Sequence, residues 1–219
     1  MNPSETPKVP ATRWPPATRL LRALPDAISV GFFLAVWFAP RAMGLDTVKT
    51  GLLIMLVEFM LVHASGFLGH AVYAEGVSAT KKLWTLAGFA LFYGLFIGAW
   101  ALAFASWLPV VLFAWLLVGK ATVALARSRP TPEHVERVRS DWALAALAYL
   151  GGGFATTILP VPQFGITSAV RAELDLPGSG HWVSHPESVI AFGALYFGFM
   201  AYAKWRDWVL PAQKTTAKG

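Results

Sequence analysis

Residues 83–119 read LWTLAGFALFYGLFIGAWALAFASWLPVVLFAWLLVG, a run of 37 without one Asp, Glu, Lys or Arg. A single helix needs only about 20 apolar residues to cross a bilayer. The run therefore holds two spans, and Ser106-Trp107-Leu108-Pro109 marks the break between them. Proline is tolerated in the first turn of a helix, where its missing N–H costs least. The spans fall at about 83–105 and about 108–126.

The rest of the chain agrees with this reading. Of its 219 residues, 56% are hydrophobic and 14% charged, and none is cysteine. A soluble domain carries about 25% charged residues. This chain cannot cover a soluble core of its size with charge, so the composition excludes an ordinary cytosolic enzyme and a disordered chain. The lack of cysteine excludes a disulfide scaffold, thiolate nucleophiles, Cys-ligated zinc and iron–sulfur clusters. The expected fold is all-α, a polytopic transmembrane helix bundle.

Four further spans are expected, at about 25–45, 51–73, 142–159 and 187–205, which makes six. The first is the shortest in clean apolar sequence, Ala27–Ala39, a length that also suits a signal-peptide core. Trp37-Phe38-Ala39-Pro40 makes a poor cleavage site, so the reading is a span bent at Pro40 with Arg41 snorkelling outward. Residues 1–18, rich in Pro, Thr and Ser, read as a mobile tail, 19–210 as the membrane domain, 160–186 as an external loop and 211–219 as a second tail. Thr131-Pro132-Glu133 has the form of a helix start. It predicts a short cytoplasmic helix, continuous with the fifth span, carrying a Glu133/Arg137 pair. Ile166, Val170 and Leu174 recur at helical spacing and predict a short helix near 167–174 in the loop.

Basic residues orient the bundle. With the N-terminus inside, fifteen fall on or near the cytoplasmic side, including Lys81, Lys82, Lys120 and Lys204, and three outside, Arg41, Lys49 and Arg171. That asymmetry follows the positive-inside rule and favours an even number of spans with both termini cytoplasmic. The net charge of +6 then reflects topology and attraction to anionic lipid heads on the cytoplasmic side. It is no nucleic-acid footprint, since no basic stripe carries interleaved aromatics.

The second span carries the chemistry-bearing residues Glu58, His63 and His70. An ionisable group in hydrocarbon is expensive and therefore a candidate site residue. Glu58 and Ser65 share a helix face, whereas Glu58 and His63 are about 140° apart and are not expected to pair. Tyr93, Tyr149 and Tyr196 fall near mid-span on three other helices, although tyrosine prefers the membrane interface. Together with Glu58 and His63 they predict one mid-membrane polar layer, serving either as a static hydrogen-bond network or as a ligand pocket or proton path. Glu58 needs a partner or a proton, and a tyrosine can supply the partner.

Other motifs point to packing or to nothing specific. Gly94-x-x-x-Gly98 predicts close helix approach, and Gly151-Gly152-Gly153 either close approach or a loosened helix. His181-x-x-x-His185 could ligate a metal only on a helix, and Pro186 and Gly178-Ser179-Gly180 argue against one there. No metal or cofactor is expected. Haem would need a second mid-membrane histidine on another helix. Nucleotide-binding and hydrolase motifs are absent.

The segments Glu58…His63…Gly66-Phe67 and Pro186…Ala191-Phe192-Gly193…Tyr196-Phe197 resemble elements of a bacterial membrane-protein family known only as a domain of unknown function. The resemblance covers about a quarter of the chain. It implies a bacterial inner-membrane location and no particular activity. The expected function is a non-enzymatic membrane module, a small-ligand or proton-linked transport component or the partner subunit of another membrane protein. The alternative is an intramembrane enzyme using Glu58 or His63 as acid or base.

The topology is directly testable. Reporter fusions active only in the periplasm should be silent at both ends of the chain and active after Ser179. An active C-terminal fusion would rule out the six-span arrangement.

Overall fold

The computed structural model describes residues 13–74, 76–125 and 131–210. Most of the expected tails and the last residue of the fourth expected span lie outside them. Helices α1 (Pro16–Phe38), α2 (Pro40–Met43), α3 (Asp46–Tyr73), α4 (Ala79–Ala103), α5 (Leu108–Leu125), α6 (Pro132–Ile158), α7 (Ser168–Glu173), α8 (His181–Ser184) and α9 (Pro186–Arg206) follow one another, with no strand among the described residues.

Four helices, α1, α3, α4 and α5, are long and apolar enough to cross a membrane. The expected spans 142–159 and 187–205 lie within α6 and α9, which are also long but fall outside that group. Glycine, tyrosine and threonine dilute their apolar character, and both carry charge near their ends.

Helix ends follow local chemistry. Ser78 caps α4 by accepting from the Lys81 N–H, and Thr131 caps α6 by accepting from the His134 N–H. α6 runs unbroken from that cap through Gly151-Gly152-Gly153, so the glycines do not loosen it. Instead the Phe192 ring lies where a Gly152 side chain would stand. α1 starts earlier than expected and continues through Pro25. It stops at Phe38 because Pro40 cannot extend it, and the expected bend is a break followed by the single turn of α2.

α3 is the spine of the bundle. Its first half joins α1, α6 and α9 in a core that includes Phe33, Leu52, Met55, Ile190, Phe192 and Phe197. Its second half joins α4 and α5 around Met60, Leu68, Leu86, Tyr93, Ile97 and Phe113. Side-chain contacts fix the directions. Glu58 meets Tyr196 on α9, and Gly51 faces Ile190, so α3 and α9 are parallel. His63 meets Tyr93, and Phe67 meets Phe89, so α4 is antiparallel to α3. Tyr149 bonds to Met55 and Trp142 to Val62, so α6 is antiparallel as well.

The segment after α6 is tied down on this frame. The Gly165 N–H donates to the Trp37 carbonyl at 3.0 Å, and Trp37 Nε1 donates to the Pro162 carbonyl at 2.9 Å. The Gly165 backbone lies so close to Phe38 and Pro40 that a side chain would collide. Ile166 and Val170 are buried in the first core, and Arg41 pairs with Glu173 through two hydrogen bonds. That pairing holds the Glu173 carboxyl below the ordinary carboxylate range. α7 matches the helix expected near 167–174. The single turn of α8 is a correction, because a helix was not expected at His181–Ser184. Gly180 supplies the left-handed φ of 113° that starts it.

The α1–α9 contact is close-packed. Phe33 is fully buried, and its ring fills the space over Gly193. Gly94 and Gly98 differ: a side chain on either would meet nothing within 4 Å, so the expected close approach is absent among the described residues. Accordingly, Gly193→Ala should cost about 1–3 kcal/mol by overpacking. A Phe33→Leu background should recover part of that loss in thermal unfolding of the purified protein. Gly94→Ala should be neutral in the same measurement.

Candidate functional site

The five expected polar residues divide into two groups on different faces of α3. Glu58, Tyr149 and Tyr196 come together in the first core. His63 and Tyr93 form a separate pair towards α4. Phe59 stands between them, stacked on His63 at 5.7 Å and tilted against Tyr149 at 5.7 Å. The single layer expected from depth alone is therefore two sites, because depth along a helix does not specify face.

Glu58 is partly buried and points to α9, where Tyr196 Oη donates to its Oε1 at 2.6 Å. Glu58 lies twelve residues into α3, about 18 Å along its axis. Tyr196 lies ten residues into the parallel α9, about 15 Å along, so the two meet near mid-helix. Tyr149 on α6 closes the group. Its hydroxyl donates to the Met55 carbonyl at 2.6 Å, and its ring lies 5.5 Å from that of Tyr196. Both tyrosines are buried, and each phenol has the partner that burial demands.

A second polar pair, not anticipated from the sequence, lies beside this group. Lys204 Nζ on α9 donates to Asp26 Oδ2 on α1 at 2.6 Å, and both charges are close enough to act on Glu58. Further towards the ends of α1 and α9 the pairs continue. Arg22 bonds to Asp141 at 2.6 Å, and Arg137 bonds to Asp207 at 3.0 Å. Asp207 also accepts from the Trp14 N–H at 3.0 Å and lies 3.5 Å from Arg22. The left-handed backbone of Asp207, with φ of 54°, ends α9 and turns its carboxylate inward. The expected Glu133/Arg137 pair is present at 3.6 Å. Ion pairs thus run from the joined ends of α1, α6 and α9 as far as Asp26 and Lys204.

In the other group, Tyr93 Oη and His63 Nδ1 are 3.0 Å apart. The His63 ring lies on the bundle perimeter between Phe59 and Phe67, which are 41% and 50% exposed. Glu58 and His63 face different helices, in keeping with their 140° separation. His181 and His185 are 4.9 Å apart by ring centroid, but His185 Nδ1 faces Glu187 Oε1 at 3.3 Å and Arg171 at 3.5 Å. Among the described residues no three acidic or imidazole side chains converge as metal ligands.

Asp26 and Lys204 carried only weak sequence signals. Asp26 immediately precedes the apolar run of α1, and Lys204 is one of many basic residues at a helix end. Their pairing follows from the adjacency of α1 and α9, which no periodicity reveals. No family model, curated protein or solved structure matches the chain.

The carboxyl–phenol geometry separates two substitutions. Glu58→Gln keeps an acceptor for Tyr196 and should leave stability nearly unchanged. Glu58→Leu strands the phenol and should cost about 1–2 kcal/mol, the scale of an interhelical hydrogen bond. Unfolding of both variants in the same detergent measures the difference. Equal losses would show that the hydrogen bond contributes nothing to stability.

Proposed function

We propose that the chain is a six-span protein of the bacterial inner membrane with both ends cytoplasmic, and that it works as a proton-linked membrane component centred on Glu58. Several observations support the six crossings. Helices α1, α4 and α6 run one way, and α3, α5 and α9 the other. At 21 residues α9 is about 31 Å long, enough to span the hydrocarbon core. Trp14, just before α1, is bonded to Asp207 at the end of α9, which supports both ends of the described helices lying on one side. The fifteen-to-three distribution of basic residues supports that side being cytoplasmic.

The observation that carries the functional reading is the Glu58–Tyr196 hydrogen bond at mid-helix, next to the Asp26–Lys204 pair. A carboxyl group in hydrocarbon is the usual form of an intramembrane proton site. Here it has a phenol on one side and a chain of ionisable residues leading to one end of the bundle. Glu58 takes up a proton by way of Asp26 and Lys204, and Tyr196 releases or re-forms its hydrogen bond as the carboxyl changes state. Glu58 is bonded to a phenol inside a filled core, a geometry that favours proton exchange over bond-breaking chemistry.

Proteoliposomes enclosing a pH-sensitive dye test this, with a membrane potential imposed by a potassium gradient. The protein should move protons faster than empty vesicles, and Glu58→Gln should return the rate to that of empty vesicles. Equal rates for the two forms, or no rate above empty vesicles, would refute the proposal.

A further inference from the structure

A second feature lies at the end of the bundle where α3 and α5 finish. Between the last turns of α3 and α5, the start of α4 and the first half of α6 is a cavity of about 980 Å³. That is at the upper end of the 300–1,000 Å³ typical of small-molecule sites, by the usual range of about that size. Its wall mixes two characters. Val72, Val123, Val135 and Trp142 supply apolar lining, and Lys82 and Arg139 bring cationic groups among them. Glu136 is the one acid in the wall among the described residues.

The room is built into the sequence. Gly66 and Gly69 form part of the lining, and the Trp142 indole rests where a Gly66 side chain would stand. Trp142 is held there by its Nε1 bond to the Val62 carbonyl at 2.9 Å. The expected one-face alignment of Glu58 and Ser65 continues to Gly69, and both Ser65 and Gly69 line the cavity.

Lys120 on α5 stands just behind this wall, outside the lining itself. It sits five residues before the end of its helix, and its Nζ lies against Gly69, 3.9 Å from where a side chain would begin. Among the described residues it has no hydrogen-bond or ion-pair partner. An unpaired ammonium within a membrane helix is costly and normally finds a counter-ion or water. Lys82 spends one donor on the Val72 carbonyl at 2.6 Å and keeps two. Arg139 is exposed and makes no ion pair among the described residues. The first turn of α6 contributes Pro132 to the rim and adds the partial positive charge of a long helix's N-terminus.

We propose that this cavity binds a phosphate-bearing anion, with Lys82 and Arg139 contacting the phosphate, Lys120 adding its charge from behind Gly69, and Val72, Val123 and Trp142 accepting apolar parts of the same molecule. A wall that offers both kinds of contact suits an acidic phospholipid, which carries both a charged head and an apolar chain. A soluble phosphate ester offers the same head group without the chain. The site is independent of any role of Glu58.

The test is ligand-dependent thermal stability of the full chain in neutral detergent, with three probes: short-chain phosphatidylglycerol, short-chain phosphatidylcholine and glycerol phosphate. Phosphatidylglycerol should stabilise the protein more than phosphatidylcholine does. Glycerol phosphate acting as well as phosphatidylglycerol identifies a soluble source, and acting only weakly identifies the lipid. Lys82→Gln and Arg139→Gln should each weaken phosphatidylglycerol binding about tenfold, the loss of one charge-assisted hydrogen bond. Arg139→Gln alters an exposed side chain, so it tests the site even if Lys82→Gln does not fold. Equal stabilisation by the two lipids with none from glycerol phosphate would overturn the proposal. So would undiminished phosphatidylglycerol binding in Arg139→Gln.

Discussion

A carboxyl group placed at mid-depth in an apolar bundle must find a partner, and the architecture follows from how Glu58 finds one. Water is not available to solvate it, so the group either bonds to protein or is pushed out of the bundle. Tyr196 provides the bond at 2.6 Å. That contact fixes the register of α3 against α9. With the register set, Ile190 lies over Gly51, and Gly193 on the same helix leaves room for Phe33 of α1. One polar contact thereby aligns three helices whose apolar surfaces would accept several sliding registers.

The same constraint explains why α3 belongs to two cores. Its first half packs with α1, α6 and α9 and carries Glu58. Its second half packs with α4 and α5, where the polar contact is the His63–Tyr93 pair. The halves differ in what they leave open. Around Glu58 the tyrosines and Phe192 fill the space, and the Asp26–Lys204 pair lies nearer the bundle end. Near the end of α3, glycines replace large side chains and a cavity remains. A filled site with paired charges suits the holding and passing of a proton. An open site lined by Lys82 and Arg139 suits a ligand that brings its own negative charge. The two sites are distinct, although Glu58 and Ser65 share one face of α3.

Much of this architecture is legible in the sequence where a single helix decides the outcome. The break at Ser106–Pro109, the cap at Thr131 and the helix near 167–174 depend on neighbours along the chain, and the structure has all three. Features that depend on the choice of partner helix are not legible. Tyr196 as the partner of Glu58 was one of several tyrosines at similar depth. Asp26 and Lys204 are 178 residues apart and meet only because α1 lies against α9. Gly94 and Gly98 have the spacing of a packing motif, but among the described residues nothing lies within 4 Å of where their side chains would begin. The division of the expected polar layer has the same origin. Residue counting gives depth, while the neighbour on each face is set by the whole bundle. α6 and α9 show the limit of composition alone, since their tyrosines and glycines reduce the apolar signal while Tyr149, Tyr196, Gly152 and Gly193 make the contacts that hold the site.

The account rests on Glu58 being an internal carboxyl, bonded to Tyr196 and able to exchange its proton with water at one end of the bundle. Infrared spectroscopy of the reconstituted protein through a pH titration measures this directly, with the Glu58 signal assigned by its loss in Glu58→Gln. The account predicts one carboxyl band that responds reversibly to bulk pH and changes frequency in Tyr196→Phe. A Glu58 band that ignores pH, or one at the same frequency with and without the Tyr196 hydroxyl, would contradict it.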